Sequence, residues 1–181
     1  AVMKLLSLYG FQHIIACDST GMLSKNRTDI DAAKQSLLTF TNLENRDGTL
    51  FDALVGADIF IGLSAPSIID RTHVATMSKD AIIFGMANPT PEIMPDEAKA
   101  GGARICGTGR SDMPNQINNV LAFPGIFKGV LLAGKKKITD EMKLKAAKAL
   151  ASAVANPIED MVIPNALDKS VVDIVAKAMM D

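Results

Sequence analysis

The sequence lacks several patterns, and each absence excludes a class of protein. Tryptophan is absent, tyrosine occurs once and aromatic residues make up 4% of the 181 residues, so aliphatic side chains and ten methionines must fill the core. The net charge is −1, and the basic run at 135–137 is too short for a nucleic-acid surface. No apolar run approaches the ~18 residues of a membrane span, and no signal-peptide pattern opens the sequence. We therefore expect neither nucleic-acid nor membrane binding.

Cysteine and histidine are also scarce. Cys17 and Cys106 lie far apart in apolar runs without metal-ligand spacing, which predicts reduced core residues of a cytoplasmic protein. His13 and His73 have no Ser or Cys partner at a recognisable nucleophile elbow, so we predict structural roles for both. The carboxylates are scattered and form no convincing divalent-metal site.

Apolar runs of strand length alternate with helix-like segments. The runs HIIAC, DIFIG, AIIFG and ARICG predict strands, and amphipathic patterns at 139–154 and 169–179 predict the last helices. Apolar strands separated by helices are typical of a parallel sheet covered on both faces. We expect one α/β domain over 1–181, with a Rossmann-like, doubly wound, mostly parallel sheet and C-terminal helices from about residue 139.

A strand that ends in Asp18 and runs into a turn resembles the second strand of a dinucleotide-binding unit, whose acid accepts hydrogen bonds from the adenosine ribose. Such a unit begins with a strand and a G-x-G-x-x-G loop, yet no such loop precedes Asp18. We therefore expect the chain to be a fragment that lacks the first strand and the phosphate loop. Taken alone, Asp18 is better explained as an ordinary turn former.

Polar residues follow the other predicted strands, at the edge where parallel sheets bind ligands. Ser64 and Ala65 follow the second predicted strand, and Asn88, stiffened by two prolines, follows the third. The fourth is followed by GTGRSDMPNQINN, in which Asn115, Gln116, Asn118 and Asn119 carry amides. Such amides can cap helices or satisfy a loop, or they can donate to a carboxylate or a nicotinamide without adding charge. Arg110 is a candidate for charge balance.

Several motifs in order resemble the cofactor-binding domain of malic enzyme, in its smaller bacterial form. They are CDSTG, GADIFIGLSAPS, IIFGMANPTPEI, ICGTGRSDMPNQINNVLAFPGIFKG, MKLKAAKALA and VIPNALD, and they extend over nearly the whole chain. The resemblance implies oxidative decarboxylation of malate to pyruvate and CO2, with NAD or NADP reduced and a divalent Mg or Mn ion assisting. It also implies a homo-oligomer, a dimer or higher.

The resemblance also implies roles for individual residues. Asp18 would contact the adenosine ribose, and Ser64 and Ala65 would lie along the cofactor. Asn88, Asn118 and Asn119 would bind the malate carboxylate and the nicotinamide end. The family's catalytic tyrosine and lysine and its acidic metal ligands belong to a part before this chain, so we assign no catalytic residue and no metal ligand here.

Two positions complicate this assignment. Ser67 stands where the family pattern has glycine. Asp18 repels a 2′-phosphate and favours NAD, whereas Lys25 and Arg27 follow closely and could neutralise one. We expect NAD rather than NADP. Two other classes remain: a nucleotide-sensing or regulatory module without its own catalysis, and another NAD-dependent dehydrogenase, which the amide-rich loop fits less well.

Overall fold

The computed structural model describes residues 1–180, and the chain divides into two compact units. Unit 1 is Ala1–Val55 and unit 2 is Gly56–Asp181. The strands over the described residues are β1 (Cys17–Asp18), β2 (Gly21–Met22), β3 (Ile59–Gly62), β4 (Ile82–Gly85) and β5 (Ile105–Thr108). The helices are α1 (Val2–Tyr9), α2 (Ala32–Leu37), α3 (Leu50–Leu54), α4 (Arg71–Val74), α5 (Pro95–Ala100), α6 (Phe123–Leu132), α7 (Asp140–Ser152) and α8 (Ser170–Met180).

Unit 1 contains a short antiparallel hairpin and three helices. Strands β1 and β2 pair Cys17 with Met22 and Asp18 with Gly21. A small core of four buried residues fills this unit: Ala16, Leu23, Ile30 and Leu38. Asp31 caps α2 and Thr49 caps α3, so both helices begin at residues whose oxygen atoms accept free backbone N–H groups.

The strand predicted over HIIAC is wrong. Only Cys17 and Asp18 of this region belong to a strand, and they pair within the hairpin rather than with the parallel sheet. Within residues 1–180 no strand runs beside 13–16, and the carbonyls of Ile14 and Ala16 accept hydrogen bonds from Asn42 and Leu23 instead. An apolar run without a neighbouring strand cannot form a ladder, so it remains extended but irregular.

Unit 2 contains a parallel sheet in the order β3–β4–β5, as predicted. Helix α4 connects the first two strands and α5 connects the second and third, which is the alternating pattern that a parallel sheet requires. Phe60, Ile83 and Cys106 are buried at the centre of the three strands. The register pairs Gly62 with Gly85 and Gly85 with Thr108, so all three strands end in step.

Three helices at the end of the chain pack together beyond the sheet. The predicted helices at 139–154 and 169–179 are confirmed as α7 and α8, and Thr139 caps α7. Helix α6 was not predicted, because its apolar sequence FPGIFKGVLL with two internal glycines does not show a clear amphipathic pattern. The shared core of these helices is fully apolar: Leu121, Val130, Met142, Ala146, Val171, Val175 and Met179.

The cysteines, His73 and the helix lengths bear on three further expectations from the sequence. Cys106 is buried and Cys17 is partly buried, both are unpaired, and burial raises the pKa of each thiol to about 11. His73 sits in α4 and completes a capping box with Asp70, which is a structural role as predicted. None of the helices within residues 1–180 has the length and apolar character needed to cross a membrane.

Candidate functional site

The three parallel strands bring the predicted site residues of unit 2 to one edge of the sheet. Ser64 and Ala65 follow β3, Asn88 follows β4, and the segment with Asn118 and Asn119 follows β5. All five residues are exposed. Because ligands bind beyond the carboxyl ends of parallel strands, this exposed edge is the candidate site.

Glu92 joins the loops after β3 and β4, and sequence reasoning missed this residue. Its side chain is completely buried. One carboxyl oxygen accepts a hydrogen bond from the backbone N–H of Ser64 at 2.8 Å, and the other accepts one from Ala87 at 3.0 Å. The same two loops are joined again by backbone bonds from Ser67 to the carbonyl of Pro91 and from Ile69 to the carbonyl of Glu92. The two loops therefore form one rigid assembly.

Two glycines make room for this buried carboxyl group. A Cβ atom on Gly62, the last residue of β3, would lie 2.4 Å from Cδ of Glu92. A Cβ on Gly85, the last residue of β4, would lie 3.4 Å from its Oε2 and 3.2 Å from Cβ of Pro91. Any side chain at Gly62 would therefore displace Glu92.

Ser67 lies in the β3 loop at the position where the resemblance expects glycine. Its φ of 55° is in the left-handed region, which glycine occupies without steric cost. The backbone at position 67 thus has the left-handed conformation that favours glycine, although the residue here is serine. The hydrogen bond from Ser67 to Pro91 fixes that conformation.

Asn88 presents an amide that no other described residue uses. Its side chain is exposed, and within residues 1–180 it forms no hydrogen bond. It lies directly over Gly109, where a Cβ would be 3.0 Å from both the oxygen and the nitrogen of the Asn88 amide. The peptide bond between Asn88 and Pro89 is cis. An exposed amide with free donor and acceptor groups at a sheet edge suits a polar ligand.

Arg110 connects the β5 loop to the Asn88–Pro89 turn. Its guanidinium forms a bidentate pair with Asp112 at 2.9 and 2.6 Å, and its remaining nitrogen donates to the carbonyl of Pro89 at 3.4 Å. Asp112 thus neutralises the positive charge of Arg110, which was the candidate for balancing charge at the site. Arg110 holds the loop rather than presenting a free cation.

The four amides of the β5 loop have different roles. Asn115 is buried with a φ of 52°, its amide donates to the carbonyls of Cys106 and Glu159, and its oxygen accepts from Val162. Gln116 forms a long 3.5 Å bond to the carbonyl of Gly109. The prediction that these two residues hold the loop is confirmed.

Asn118 and Asn119 are both exposed at the end of this loop. The oxygen of Asn118 accepts a hydrogen bond from Val120 at 3.0 Å and caps a 3₁₀ turn at Asn119–Leu121. Because the oxygen is used in this way, its NH2 group is free to donate. Both alternatives considered for Asn118, a cap and a donor, are therefore available to the same side chain.

Asp18 lies in unit 1 and is held by two cations. Arg27 binds its carboxyl group at 2.8 and 3.1 Å, Lys34 binds it at 2.6 Å, and Thr20 donates its backbone N–H at 2.9 Å. The hydrogen bond from Arg27 is the main reason why the pKa of Asp18 is far below its ordinary value, and Lys34 adds to it. Lys25 and Arg27 also line a cavity of about 440 Å³ beside this cluster.

The described residues contain no group that is ready to hold a metal ion. Within 1–180, no three His, Cys, Asp or Glu side chains come together in a possible metal site. The buried carboxyl group of Glu92 is used by two backbone N–H groups and stands alone.

Comparison with known proteins identifies relatives across almost the whole chain. The family described as "Malic enzyme, NAD binding domain" matches residues 9–178. The chain is 48% identical over 182 aligned positions to the bifunctional malic/malolactic enzyme of Bacillus subtilis, covering 99% of this chain and 44% of that protein. It is 43% identical over 163 positions to the NADP-dependent malic enzyme of Rhizobium meliloti, covering 88% of this chain and 21% of that protein.

A solved structure agrees with these matches. The NAD-dependent malic enzyme of Thermotoga maritima superposes with a TM-score of 0.94 at 40% identity, covering 99% of this chain and 48% of that one. The chain thus spans less than half the length of the relatives it matches.

Proposed function

Because this chain belongs to the malic enzyme family through its NAD-binding domain, we propose that it supplies the cofactor-binding half of an enzyme that oxidatively decarboxylates malate. Malate is converted to pyruvate and CO2 while NAD or NADP is reduced. We treat residues 1–181 as this single functional domain, with the C-terminal helices as its last part.

The unpartnered amide of Asn88 is the observation that carries the proposal. It lies at the carboxyl edge of the parallel sheet, close to Gly109, with both its donor and its acceptor free within residues 1–180. A malate carboxylate accepts hydrogen bonds and a nicotinamide carboxamide both donates and accepts them. One neutral amide can therefore bind either group without adding a charge.

We propose a ligand contact for each of the other candidate residues, taken within its own unit. Asp18 accepts hydrogen bonds from the adenosine ribose, while Ser64 and Ala65 line the path of the dinucleotide. Asn118 donates its free NH2 group to a malate carboxylate, and Asn119 contributes beside it. The charge at this edge is low because Arg110 is paired with Asp112. Neutral donors therefore orient the substrate without binding the product too tightly.

When bound, NAD or NADP would supply the hydride acceptor for oxidation at C2 of malate, and loss of the carboxylate attached to C3 as CO2 would follow. The residues of this chain hold malate so that C2 faces the cofactor, and alignment of this kind accounts for a large part of catalysis. The general acid and base are not among the residues that we assign here. We likewise assign no metal ligand and no metal-dependent step to this chain, since its described residues offer no cluster for Mg or Mn.

Our proposal also includes a cofactor, an oligomeric state and a cellular location. Relatives with NAD and with NADP in their names match this chain, and we expect NAD because Asp18 repels a 2′-phosphate. We also propose a homo-oligomer, a dimer or higher, and a cytoplasmic location in keeping with two unpaired cysteines.

Malate-dependent reduction of NAD and NADP by the whole protein, with Mn²⁺ present, tests the proposal. We expect absorbance of the reduced cofactor at 340 nm and stoichiometric pyruvate, and Asn88→Ala lowers kcat/KM for malate. Absence of turnover with both cofactors in a folded protein contradicts the proposal. A dehydrogenase acting on an amino acid would reveal itself by turnover with amino acids but none with malate.

A further inference from the structure

Glu92 is the one buried carboxylate among residues 1–180, and the proposed reaction does not use it. Its side chain has no exposed surface, although acidic side chains are almost never fully buried unless they are paired. Within residues 1–180 no Lys, Arg or His forms an ion pair with it. Its partners are the backbone N–H groups of Ser64 and Ala87 alone.

These partners belong to the two loops that carry the proposed ligand contacts. The N–H at Ser64 begins the segment that lines the cofactor, and the N–H at Ala87 immediately precedes Asn88. Each carboxyl oxygen receives one of them, at 2.8 and 3.0 Å. The carboxyl group therefore sets the spacing between the loops, because both oxygen atoms belong to one rigid plane.

The surrounding backbone is arranged to keep this group in place. The glycines at the ends of β3 and β4 leave the space that the side chain occupies, and Gly62 could not carry even one methyl group without displacing it. Two more hydrogen bonds, from Ser67 and Ile69, bind the same pair of loops through the backbone. Among the described residues, Glu92 is thus the only one whose side chain takes part in the hydrogen bonds between these two loops, since the other bonds are made by backbone atoms.

We propose that Glu92 is a positioning residue for the reaction, which aligns the cofactor loop after β3 with the malate and nicotinamide loop after β4. This inference rests on the function proposed above, since it assumes that Ser64 lies along the cofactor and that Asn88 contacts malate or nicotinamide. Glu92 itself touches neither ligand. Its loss shifts the two ligands relative to each other more than it weakens the binding of either one.

Glu92→Gln is the direct test, because glutamine has the same shape but only one acceptor oxygen. Its NH2 group faces a backbone N–H, so one of the two bonds is lost and two donors oppose each other. In the whole protein we expect kcat with malate to fall about 10-fold to 100-fold, as misalignment on the order of 1 Å produces. The Kd for NAD(P), measured by titration without malate, changes less than about threefold.

Met142→Ala is the matched control for loss of stability. Met142 is buried in the α6–α8 core, and it is not part of the loops around Glu92. At the temperature where both variants are fully folded, it keeps kcat near that of the wild type although its Tm falls. The inference is overturned if Glu92→Gln keeps kcat within twofold, or if Met142→Ala with an equal loss of Tm loses kcat to the same extent.

Gly85→Ala keeps the inference testable if Glu92→Gln does not fold. The added Cβ lies 3.2 Å from Cβ of Pro91, which is a tight contact, so it pushes by a few tenths of an ångström on the residue that precedes Glu92. Its distance of 3.4 Å to Oε2 of Glu92 is an ordinary van der Waals contact. We expect a smaller fall in kcat with an unchanged Kd for NAD(P), and an unchanged kcat overturns the inference. An inactive wild-type protein would contradict the proposed function instead, so the two failures are distinguishable.

Discussion

The amide of Asn88 rests on the Cα atom of Gly109, and this contact joins the loops after two neighbouring strands. A Cβ at Gly109 would lie 3.0 Å from both terminal atoms of that amide. Any residue larger than glycine at this position therefore moves Asn88. The direction in which the Asn88 amide points depends on a residue that contributes no side chain.

Gly109→Ala is expected to weaken the use of malate while leaving the fold intact. The new methyl group displaces the Asn88 amide by a few tenths of an ångström, and we expect kcat/KM for malate to fall about 10-fold. Steady-state kinetics with varied malate provide the measurement. Gly102→Ala serves as the control, since no atom lies within 4 Å of its added Cβ, although its positive φ costs some stability. Equal kinetics for the two variants would contradict the role of Asn88.

Asn118→Asp separates capping from ligand binding. Aspartate caps a helix as well as asparagine does, so the hydrogen bond to Val120 and the Tm are expected to persist. The variant replaces the free NH2 donor by a negative charge, and a donor to an anion contributes ~1.5–3 kcal/mol. We therefore expect KM for malate to rise at least about 10-fold. An unchanged KM would assign Asn118 to capping alone.

Asn115→Ala is expected to destabilise unit 2 strongly. It leaves the carbonyls of Cys106 and Glu159 and the N–H of Val162 without their partner, and the bond to Cys106 is buried. We expect the free energy of unfolding to fall by about 2–4 kcal/mol, as judged by urea titration. Asn115→Gly distinguishes the causes, because glycine tolerates the φ of 52° but makes no side-chain hydrogen bond. If glycine restores full stability, backbone strain rather than hydrogen bonding is the cause.

Asp18→Asn is expected to shift the preference toward NADP. The change removes the negative charge that repels a 2′-phosphate, and it releases Arg27 and Lys34 from their present ion pairs. We expect the ratio of kcat/KM for NADP to that for NAD to rise about 10-fold or more. Asp29→Asn is the control, because it removes only the second, exposed partner of Arg27. An equal ratio in both variants would place the ribose end of the cofactor away from Asp18.

The same carboxyl group makes stability dependent on acid pH. Because Arg27 and Lys34 lower the pKa of Asp18 in the folded state, its ionised form stabilises the fold above the unfolded pKa. This contribution is complete above roughly pH 5 and is lost progressively as the pH falls below about 4. Urea unfolding between pH 7 and pH 3 should therefore show a smaller acid loss for Asp18→Asn than for the wild type. An acid loss of the same size in the two proteins would contradict this contribution of Asp18.

Parts of this structure follow from the sequence because they depend on local rules. The strands β3 to β5 are predicted from apolar runs bounded by glycine or polar residues, and the helices α7 and α8 are predicted from their amphipathic patterns. The sheet edge with Ser64, Asn88 and Asn118 follows from the order of these strands.

Other parts depend on contacts between residues distant in sequence. HIIAC has the composition of a strand, but only a neighbouring strand could make it one. Glu92 follows two prolines and resembles a surface acid until the N–H of Ser64, 28 positions away, is brought to it. Lys34 is one of many lysines in the sequence, and only the folded chain places it against Asp18.

Because Gly62 and Glu92 are in close contact, a substitution at either position requires a compensating substitution at the other. A substitution at position 62 has no room while glutamate remains at position 92, and a shorter residue at position 92 leaves two backbone N–H groups unsatisfied unless position 62 supplies a replacement. Neither substitution is therefore tolerated without the other. Libraries that vary the β3 loop one site at a time will therefore return only glycine at position 62, whereas libraries that vary both sites together can find alternative solutions.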